Sequence, residues 1–283
     1  MAKVKEFIMK IIFLLSALVS IIAVVLICLF LFKNGLSAIL EIGPMKFLFG
    51  TQWKPKQELF GIFPMIVGSI YVTAGAIIVG VPIGLMTAVF MAKFCPEKLY
   101  KVLKPAIELL AGIPSIVYGF FGLVVIVPII KELFGGSGKG ILTASILLGI
   151  MILPTIISVA ESSIRAVPES YYEGALALGA TSERSVFTAV LPAAKSGILS
   201  GVILGIGRAI GETMAVVMIA GNQPIIPEKV TQGVRTLTAN VVLEMGYATG
   251  LHREALIATA VVLFVFILII NLSFSILSRR NEK

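Results

Sequence analysis

Residues 161–195 read ESSIRAVPESYYEGALALGATSERSVFTAVLPAAK and separate two strongly apolar stretches of the chain. Ala166-Val167-Pro168-Glu169 is typical of a helix start, with proline early and an acid in the first turn. Gly179 interrupts the helix that follows, and Thr181 can cap a second helix that ends before Pro192. The pattern predicts a helix–turn–helix outside the membrane, between two spans.

Apolar residues dominate the rest of the chain. Of its 283 residues 58% are hydrophobic and 13% are charged, with a mean hydropathy of +1.05, whereas a soluble domain has about 25% charged residues. The first apolar run, residues 11–32, has no charge and would form a helix ~33 Å long, enough to cross a bilayer. We therefore predict an all-α polytopic membrane protein with six transmembrane helices. The other five runs are 63–92, 106–130, 141–160, 197–221 and 255–277.

Two units are expected from this layout. The first span and a long outer segment form an N-terminal unit over residues 1–62. The remaining spans form a compact core over 63–278, with the polar segment at 161–195 on its cytoplasmic side.

The basic residues predict the orientation. With the N-terminus inside, the inner segments carry 13 Lys and Arg and the outer segments carry 9, and the remaining Arg208 lies inside a span. Because cytoplasmic loops carry an excess of Lys and Arg, both termini are expected in the cytoplasm. The net charge of +8 is then largely a topology signal, so no nucleic-acid partner is expected. The first run is too long for a signal peptide and is expected to stay as a span.

Several chemistries are excluded by residues that the chain lacks. All 15 acidic residues are Glu, His252 is the single histidine, and Cys28 and Cys95 are the two cysteines. Aspartyl-phosphate chemistry, a multi-histidine zinc site and a disulfide framework are therefore not expected, and no cofactor or metal is predicted. The glycine-rich run at 135–140 lacks the glycine six residues before Lys139 that a P-loop requires.

The fifth apolar run combines a row of glycines with two charges. Gly197, Gly201 and Gly205 recur every four residues, a spacing that lets another helix approach closely. On a regular helix, Arg208 and Glu212 lie about 20° to either side of Gly201. A charge at the middle of a span costs at least ~2.5–3.5 kcal/mol, so this face is predicted to point away from lipid.

Two interpretations of Arg208 and Glu212 are open. In one, they form an ion pair that only holds helices together. In the other, they line a translocation path, where a planar guanidinium suits a phosphate-like oxyanion and a carboxylate keeps it from being held too tightly. Thr213 and Asn222 would add polar contacts to such a path, although a role at the end of the span suits them equally.

Other features have local interpretations. The motifs Gly80-Val81-Pro82-Ile83-Gly84 and Gly112-Ile113-Pro114-Ser115 interrupt the apolar pattern of the second and third spans. They either only bend these helices or break them and open backbone groups toward a substrate. Trp53 is either an interfacial anchor or a packed loop residue. Glu161 is expected at the membrane interface, and His252 is expected in a solvated outer loop.

The segment quoted first resembles the EAA loop of permease subunits of ABC importers. That pattern is Glu-Ala-Ala, three residues, Gly, nine residues, Ile, one residue and Leu-Pro, and the spacing fits throughout, with Gly174 in place of an Ala and Ala189 in place of the Ile. The resemblance implies the type I ABC importer permease (MetI-like) fold and a loop that docks on a separate ATPase. The ATPase-coupling residues that it implies are Glu173, Gly174, Ala175, Gly179, Leu191 and Pro192.

A narrower match surrounds the two charges of the fifth run. The stretch GRAIGETMAV at 207–216, followed by Gly221-Asn222, resembles the permeases of phosphate importers, and its Met-Ala-Val continuation points to the C-type subunit. This resemblance implies half of a phosphate path in a bacterial or archaeal inner membrane, without catalysis of its own. The implied partners are an A-type permease subunit, two ATP-binding subunits, an extracytoplasmic phosphate-binding protein and membrane lipid.

Three alternative functions are compared with this interpretation. A permease of the same fold for another oxyanion, such as sulfate or molybdate, is the nearest one. An autonomous channel or secondary transporter would have no use for an ATPase-docking loop. An intramembrane serine protease would need a histidine close to its nucleophile, whereas His252 is expected in an outer loop.

Overall fold

The computed structural model describes residues 2–280, which form helices joined by short loops and one small hairpin. Among these residues, five helices are long and apolar enough to cross a membrane, and a sixth crossing results if a pair of helices bent by 73° is counted as one. The predicted all-α polytopic class is confirmed. The side chains of Lys3, Arg279 and Arg280 and all of Lys283, which enter the charge-based orientation, lie outside the described residues.

The first helix extends well beyond the first apolar run. Helix α1 (Ala2–Ile42) continues until Gly43, whose positive φ of 94° and following proline end it. The segment that follows consists of α2 (Pro44–Phe49) and a two-stranded antiparallel hairpin. In this hairpin Trp53 of β1 (Trp53–Lys54) pairs with Phe60 of β2 (Leu59–Phe60).

Two long helices lie at the centre of the molecule, α3 (Phe63–Val89) and α7 (Ile141–Arg165). Pro82 lies inside α3 without breaking it, so of the two interpretations of this motif the broken helix is wrong. Gly80 instead lies against α7, where an added Cβ would be 2.8 Å from the carbonyl oxygen of Gly149. Close packing against α7 keeps α3 continuous across the proline.

The third span begins later than the apolar run indicated. Residues 97–112 form a separate amphipathic helix, α4 (Glu97–Gly112), and the apolar crossing is Ser115–Phe134. The predicted break between them is present, because Pro114 forces Ile113 into an extended conformation with ψ of 126°. The crossing contains α5 (Ser115–Phe121), a π-helical turn and α6 (Val127–Phe134).

The polar segment after α7 forms the predicted helix–turn–helix. Gly179 adopts a left-handed φ of 87° between the two arms, and the Thr181 side chain accepts a hydrogen bond from the N–H of Arg184. The second arm does not end before Pro192, because the proline occupies the first turn of a helix, where its missing N–H is tolerated. The helices are α8 (Glu169–Ala177), α9 (Ser182–Ser185) and α10 (Leu191–Ala193), with a π-helical turn before α10.

The fifth apolar run is not one helix. It is divided at Glu212 and Thr213, where α11 (Lys195–Gly211) has ended and α12 (Met214–Ile219) has not begun. After a loop over residues 220–236 come α13 (Leu237–Glu244) and α14 (Gly250–Arg280). Helix α1 packs along α14, and Gly35 is the point of close approach.

Candidate functional site

The glycine row of α11 lies against α7. An added Cβ on Gly201 would be 3.1 Å from Val159, and one on Gly205 would be 2.8 Å from Ile156. Gly197 meets the side chain of Ser163 in the same way. Larger residues at these positions would push the two helices apart.

Arg208 lies one turn after this row and faces the same helix. Its Nη1 atom donates a hydrogen bond to the Thr155 hydroxyl at 3.3 Å. Within residues 2–280, no carboxylate oxygen lies within 4.0 Å of its guanidinium. The interpretation of Arg208 and Glu212 as an ion pair is therefore not the arrangement observed, and most of the five N–H donors of this guanidinium are left without an acceptor among the described residues.

Glu212 occupies the break between α11 and α12. Its backbone is extended, and its Oε1 atom accepts a hydrogen bond from the N–H of Ala215 at 3.2 Å. Its carbonyl oxygen accepts one from the Thr238 hydroxyl of α13 at 3.0 Å. The expectation that Glu212 continues the helical face of Gly201 is wrong, because the helix ends one residue earlier. The carboxylate instead satisfies an N–H in the first turn of α12.

The two predicted polar neighbours have separate surroundings. Thr213 donates to the carbonyl oxygen of Gly211 at 3.1 Å, within the break. Asn222 has a positive φ of 54° and donates to the carbonyl oxygen of Val217 at 2.7 Å. The Asn222 Oδ1 atom is buried and has no hydrogen-bond partner among the described residues.

The hairpin, the segment before α13 and the start of α14 meet at a buried acid that the sequence did not single out. Glu244 accepts hydrogen bonds from the Trp53 indole at 2.9 Å and from Arg235, and its Oε2 atom lies 2.8 Å from Nε2 of His252. Burial alone would raise the pKa of Glu244, but these hydrogen bonds and the Arg235 charge hold the pKa below the ordinary value of a glutamate. Trp53 is thus a packed loop residue, and the expectation that His252 is solvated is wrong.

A second buried acid lies near the C-terminal end of α7. Glu161 is 1% exposed and accepts hydrogen bonds from Tyr100 at 3.0 Å, from Lys104 at 2.8 Å and from Arg165. It lies inside the protein near the end of α7, and its expected place at the depth of the membrane interface stays a prediction. The sequence offered one signal, the spacing of four residues between Glu161 and Arg165, but nothing local identified the partners on α4.

The predicted ATPase-coupling residues lie on or beside an exposed surface. Glu173, Gly174, Gly179 and Pro192 are exposed, while Ala175 and Leu191 are half-buried. Next to them, apolar side chains point into solvent, with Leu178 92% and Phe187 60% exposed. The coupling residues lie in the segment between α7 and α11, whereas Arg208 bonds to Thr155 within these two helices. The structure therefore does not bring the two predicted sites together.

Comparison with known proteins places this arrangement in a family. A family model described as "Binding-protein-dependent transport system inner membrane component" matches residues 80–283. The probable ABC transporter permease protein YqgH of Bacillus subtilis (strain 168) is 38% identical over 94% of this chain and 88% of its own length. The phosphate transport system permease protein PstC of Pasteurella multocida (strain Pm70) is 35% identical over 84% of this chain and 80% of its own length. The probable PstC of Methanocaldococcus jannaschii is 32% identical over 95% and 92%.

Solved structures share the fold. A permease chain from the bacterial ABC transporter for alginate import superposes with a TM-score of 0.62 at 15% identity, over 96% of both chains. A chain of the MetNI methionine ABC transporter gives 0.61 at 20% identity, over 81% of this chain and 99% of that one. The expected type I ABC importer permease (MetI-like) fold is confirmed.

These relatives are transport components, so the expected role as a transport subunit rather than an enzyme is confirmed. The resemblance to C-type permeases of phosphate importers is confirmed as well. The chain is a multi-pass membrane protein, and it belongs to the family of inner membrane components of binding-protein-dependent transport systems.

Proposed function

We propose that this chain is the C-type permease subunit of an ATP-driven phosphate importer, where it forms half of the translocation path. The observation that carries the proposal is Arg208, a guanidinium inside the membrane-spanning region whose partner is a neutral hydroxyl, Thr155. A planar cation of this kind binds phosphate oxygens in a bidentate manner. Relatives named as phosphate transport permeases support the same substrate.

Glu212 contributes to this path by fixing the backbone beside Arg208. Its carboxylate caps α12, and its carbonyl oxygen is held by Thr238. Together these bonds keep α11 and α12 as two separate helices. Thr213 and Asn222 lie at the two ends of α12, where they offer polar groups next to the path.

Coupling to ATP takes place at the segment over 161–195, which we name the coupling loop. Leu178 and Phe187 expose apolar surface there that would be buried in a groove of an ATPase subunit. The sharp turn at Gly179 presents this surface between α8 and α9. Residues 1–62 form an accessory unit and residues 63–278 the permease core, with both termini in the cytoplasm.

The complete importer then consists of this chain, an A-type permease, two ATP-binding subunits and an external phosphate-binding protein. Other oxyanions of similar shape, such as sulfate and molybdate, are the nearest alternative cargo. An autonomous channel or a secondary transporter is a more distant alternative.

Reconstitution of the five-subunit complex in vesicles tests the proposal. We expect uptake of labelled phosphate that requires ATP and the binding protein, with little uptake of sulfate or molybdate. Uptake of sulfate or molybdate without phosphate would overturn the choice of cargo. Uptake by the purified chain alone, without ATP, would overturn the importer itself.

A further inference from the structure

We propose that Glu161 is a positioning residue for transport, which joins the coupling loop to α4 so that movement of the loop reaches the break in the third span. The inference deepens the proposed function and rests on its assumption that an ATPase drives this chain. Glu161 touches neither the path nor the exposed docking surface. It therefore acts indirectly, by holding α4 to the coupling loop.

The contacts of Glu161 unite two parts of the chain. It lies on α7 at the start of the coupling loop and is 1% exposed. Tyr100 and Lys104, both on α4, hold its two oxygen atoms at 3.0 and 2.8 Å. Arg165 bonds to the carboxylate as well, and its guanidinium carbon lies 4.2 Å above the centre of the Tyr100 ring. The buried carboxylate thus has three donors that come from two different helices.

A second set of contacts connects the same region to α8 and α9. Lys93, just after α3, forms an ion pair with Glu169 at 3.0 Å and lies 5.3 Å from the centre of the Tyr172 ring. The Tyr172 hydroxyl lies 2.8 Å from that of Ser182. Both arms of the coupling loop are therefore tied to the end of α3, beside the cluster of Glu161. Arg165 of this cluster also donates to the carbonyl oxygen of Met91 at 2.8 Å, two residues before Lys93. A shift of the loop at an ATPase would therefore reach α4 through charged hydrogen bonds, by way of Arg165 and Glu161.

Helix α4 leads directly to the path. It ends at Gly112, and the Tyr118 hydroxyl crosses the break to donate to the carbonyl oxygen of Leu110 at 2.9 Å. One residue further, an added Cβ on Gly119 would lie 2.9 Å from the Cα of Ala215. The N–H of Ala215 donates a hydrogen bond to the Glu212 carboxylate. The contacts are contiguous from the coupling loop to the helix break beside Arg208.

The other ion pair on α4 provides a matched control. Glu97 and Lys101 are 2.9 Å apart, and their side chains are 81% and 72% exposed. Solvent and salt screen such a pair, so its loss has little effect. Neutralising the buried Glu161, by contrast, leaves Lys104 and Arg165 without their shared anion. Glu97→Gln and Glu161→Gln therefore make the same chemical change, one at an exposed carboxylate and one at a buried carboxylate.

The test compares these two variants in the full reconstituted complex. The first measurement is phosphate transported per ATP hydrolysed. We expect Glu161→Gln to assemble and hydrolyse ATP while this ratio falls about tenfold, within the range of known coupling energies, and we expect Glu97→Gln to keep the wild-type ratio. An unchanged ratio in Glu161→Gln would overturn the proposal.

The second measurement is amide hydrogen exchange with and without ATP in a complex trapped before hydrolysis. In the wild type, exchange should change on ATP binding both in residues 169–178 and in residues 97–112. In Glu161→Gln the first change should persist and the second should disappear. Persistence of both changes would contradict the proposal. If the wild type transports no phosphate but the α4 change is still lost in Glu161→Gln, the cargo assignment fails while this inference stands.

If Glu161→Gln fails to fold, two other variants still test the proposal. Tyr100→Phe and Lys104→Met each remove one partner of the carboxylate and leave it with two others. We expect each to lower the transport-to-ATP ratio by a smaller factor than Glu161→Gln, with normal assembly. Wild-type ratios in both variants would overturn the positioning role.

Discussion

The guanidinium of Arg208 donates to the hydroxyl of Thr155 across the contact between α11 and α7, with Nη1 and Oγ1 3.3 Å apart. The two helices approach this closely because Gly201 and Gly205 present no side chain to Val159 and Ile156. A hydroxyl orients a guanidinium without neutralising it. The arginine therefore keeps its full charge and several donors for an anion.

Removing the cation should abolish most transport. In Arg208→Ala we expect ATP-dependent uptake to fall by at least about tenfold, because charge-assisted hydrogen bonds contribute roughly 1.5–3 kcal/mol each. Arg208→Lys keeps the charge but not the planar fork, so partial activity is expected. The assay is uptake by vesicles, with co-purification of the ATPase as the control for assembly. Full activity of the alanine variant would remove Arg208 from the path.

Removing the partner hydroxyl should have a milder effect. Thr155→Val has nearly the same shape and cannot accept the hydrogen bond, so Arg208 would be less well oriented. We expect the half-saturating substrate concentration to rise several-fold, by the ~0.5–1.5 kcal/mol that one hydrogen bond contributes. Thr155→Ser retains the hydroxyl and should restore the wild-type value. Equal values for valine and serine variants would show that the contact has no role in binding.

Filling the glycine row should destabilise the fold. In Gly205→Ala the new Cβ would meet Ile156 at 2.8 Å, and such overpacking costs about 1–3 kcal/mol. Gly207→Ala is the matched control, because no atom lies within 4 Å of its added Cβ. Thermal unfolding in detergent should show a lower Tm for the first variant alone. The same Tm for both would contradict the close approach of α7 and α11.

The turn of the coupling loop should be sensitive to its glycine. Gly179 has a φ of 87°, which a β-branched residue adopts only at a cost of about 1–2 kcal/mol. Gly179→Val should distort the turn and weaken ATPase binding, and Leu178→Ser should weaken it by removing exposed apolar surface. Gly174→Ala has open space around its Cβ and should bind normally. The measurement is the amount of ATPase that co-purifies, and an undiminished amount in both test variants would exclude this docking surface.

Glu244 should make the loops around Trp53 and His252 sensitive to acid. Its pKa is held below that of an unfolded glutamate, so its contribution to stability is present above the unfolded pKa of about 4.3 and is lost as the pH falls through the folded pKa. Glu244→Gln should lower the Tm at neutral pH, and the difference from wild type should shrink in acid. Trp53, the single tryptophan, donates to Glu244 and reports the transition by fluorescence. A difference that stays constant with pH would show that the carboxylate charge is not responsible.

The local features of the chain could be predicted from its sequence. Apolar runs long enough to span a bilayer, the turn at Gly179, the Thr181 cap and the break at Pro114 all depend on residues close together in the chain. Backbone sterics and hydrogen bonding act over a few residues, and so the pattern is sufficient. The glycine spacing on α11 likewise predicts a close helix contact, although it does not identify α7 as the partner helix.

Helix ends and buried acids depended on packing between distant segments. The apolar run over 197–221 continues through Glu212, yet the helix stops there because α13 supplies Thr238 to the freed carbonyl. Glu161 and Glu244 owe their burial to partners that are 57 and 191 residues away in sequence. The local sequence around a glutamate does not show whether its carboxylate will be solvated or surrounded by hydrogen-bond donors. That choice is made when helices pack, because only the assembled interior brings together enough hydrogen bonds to offset the desolvation of a charge.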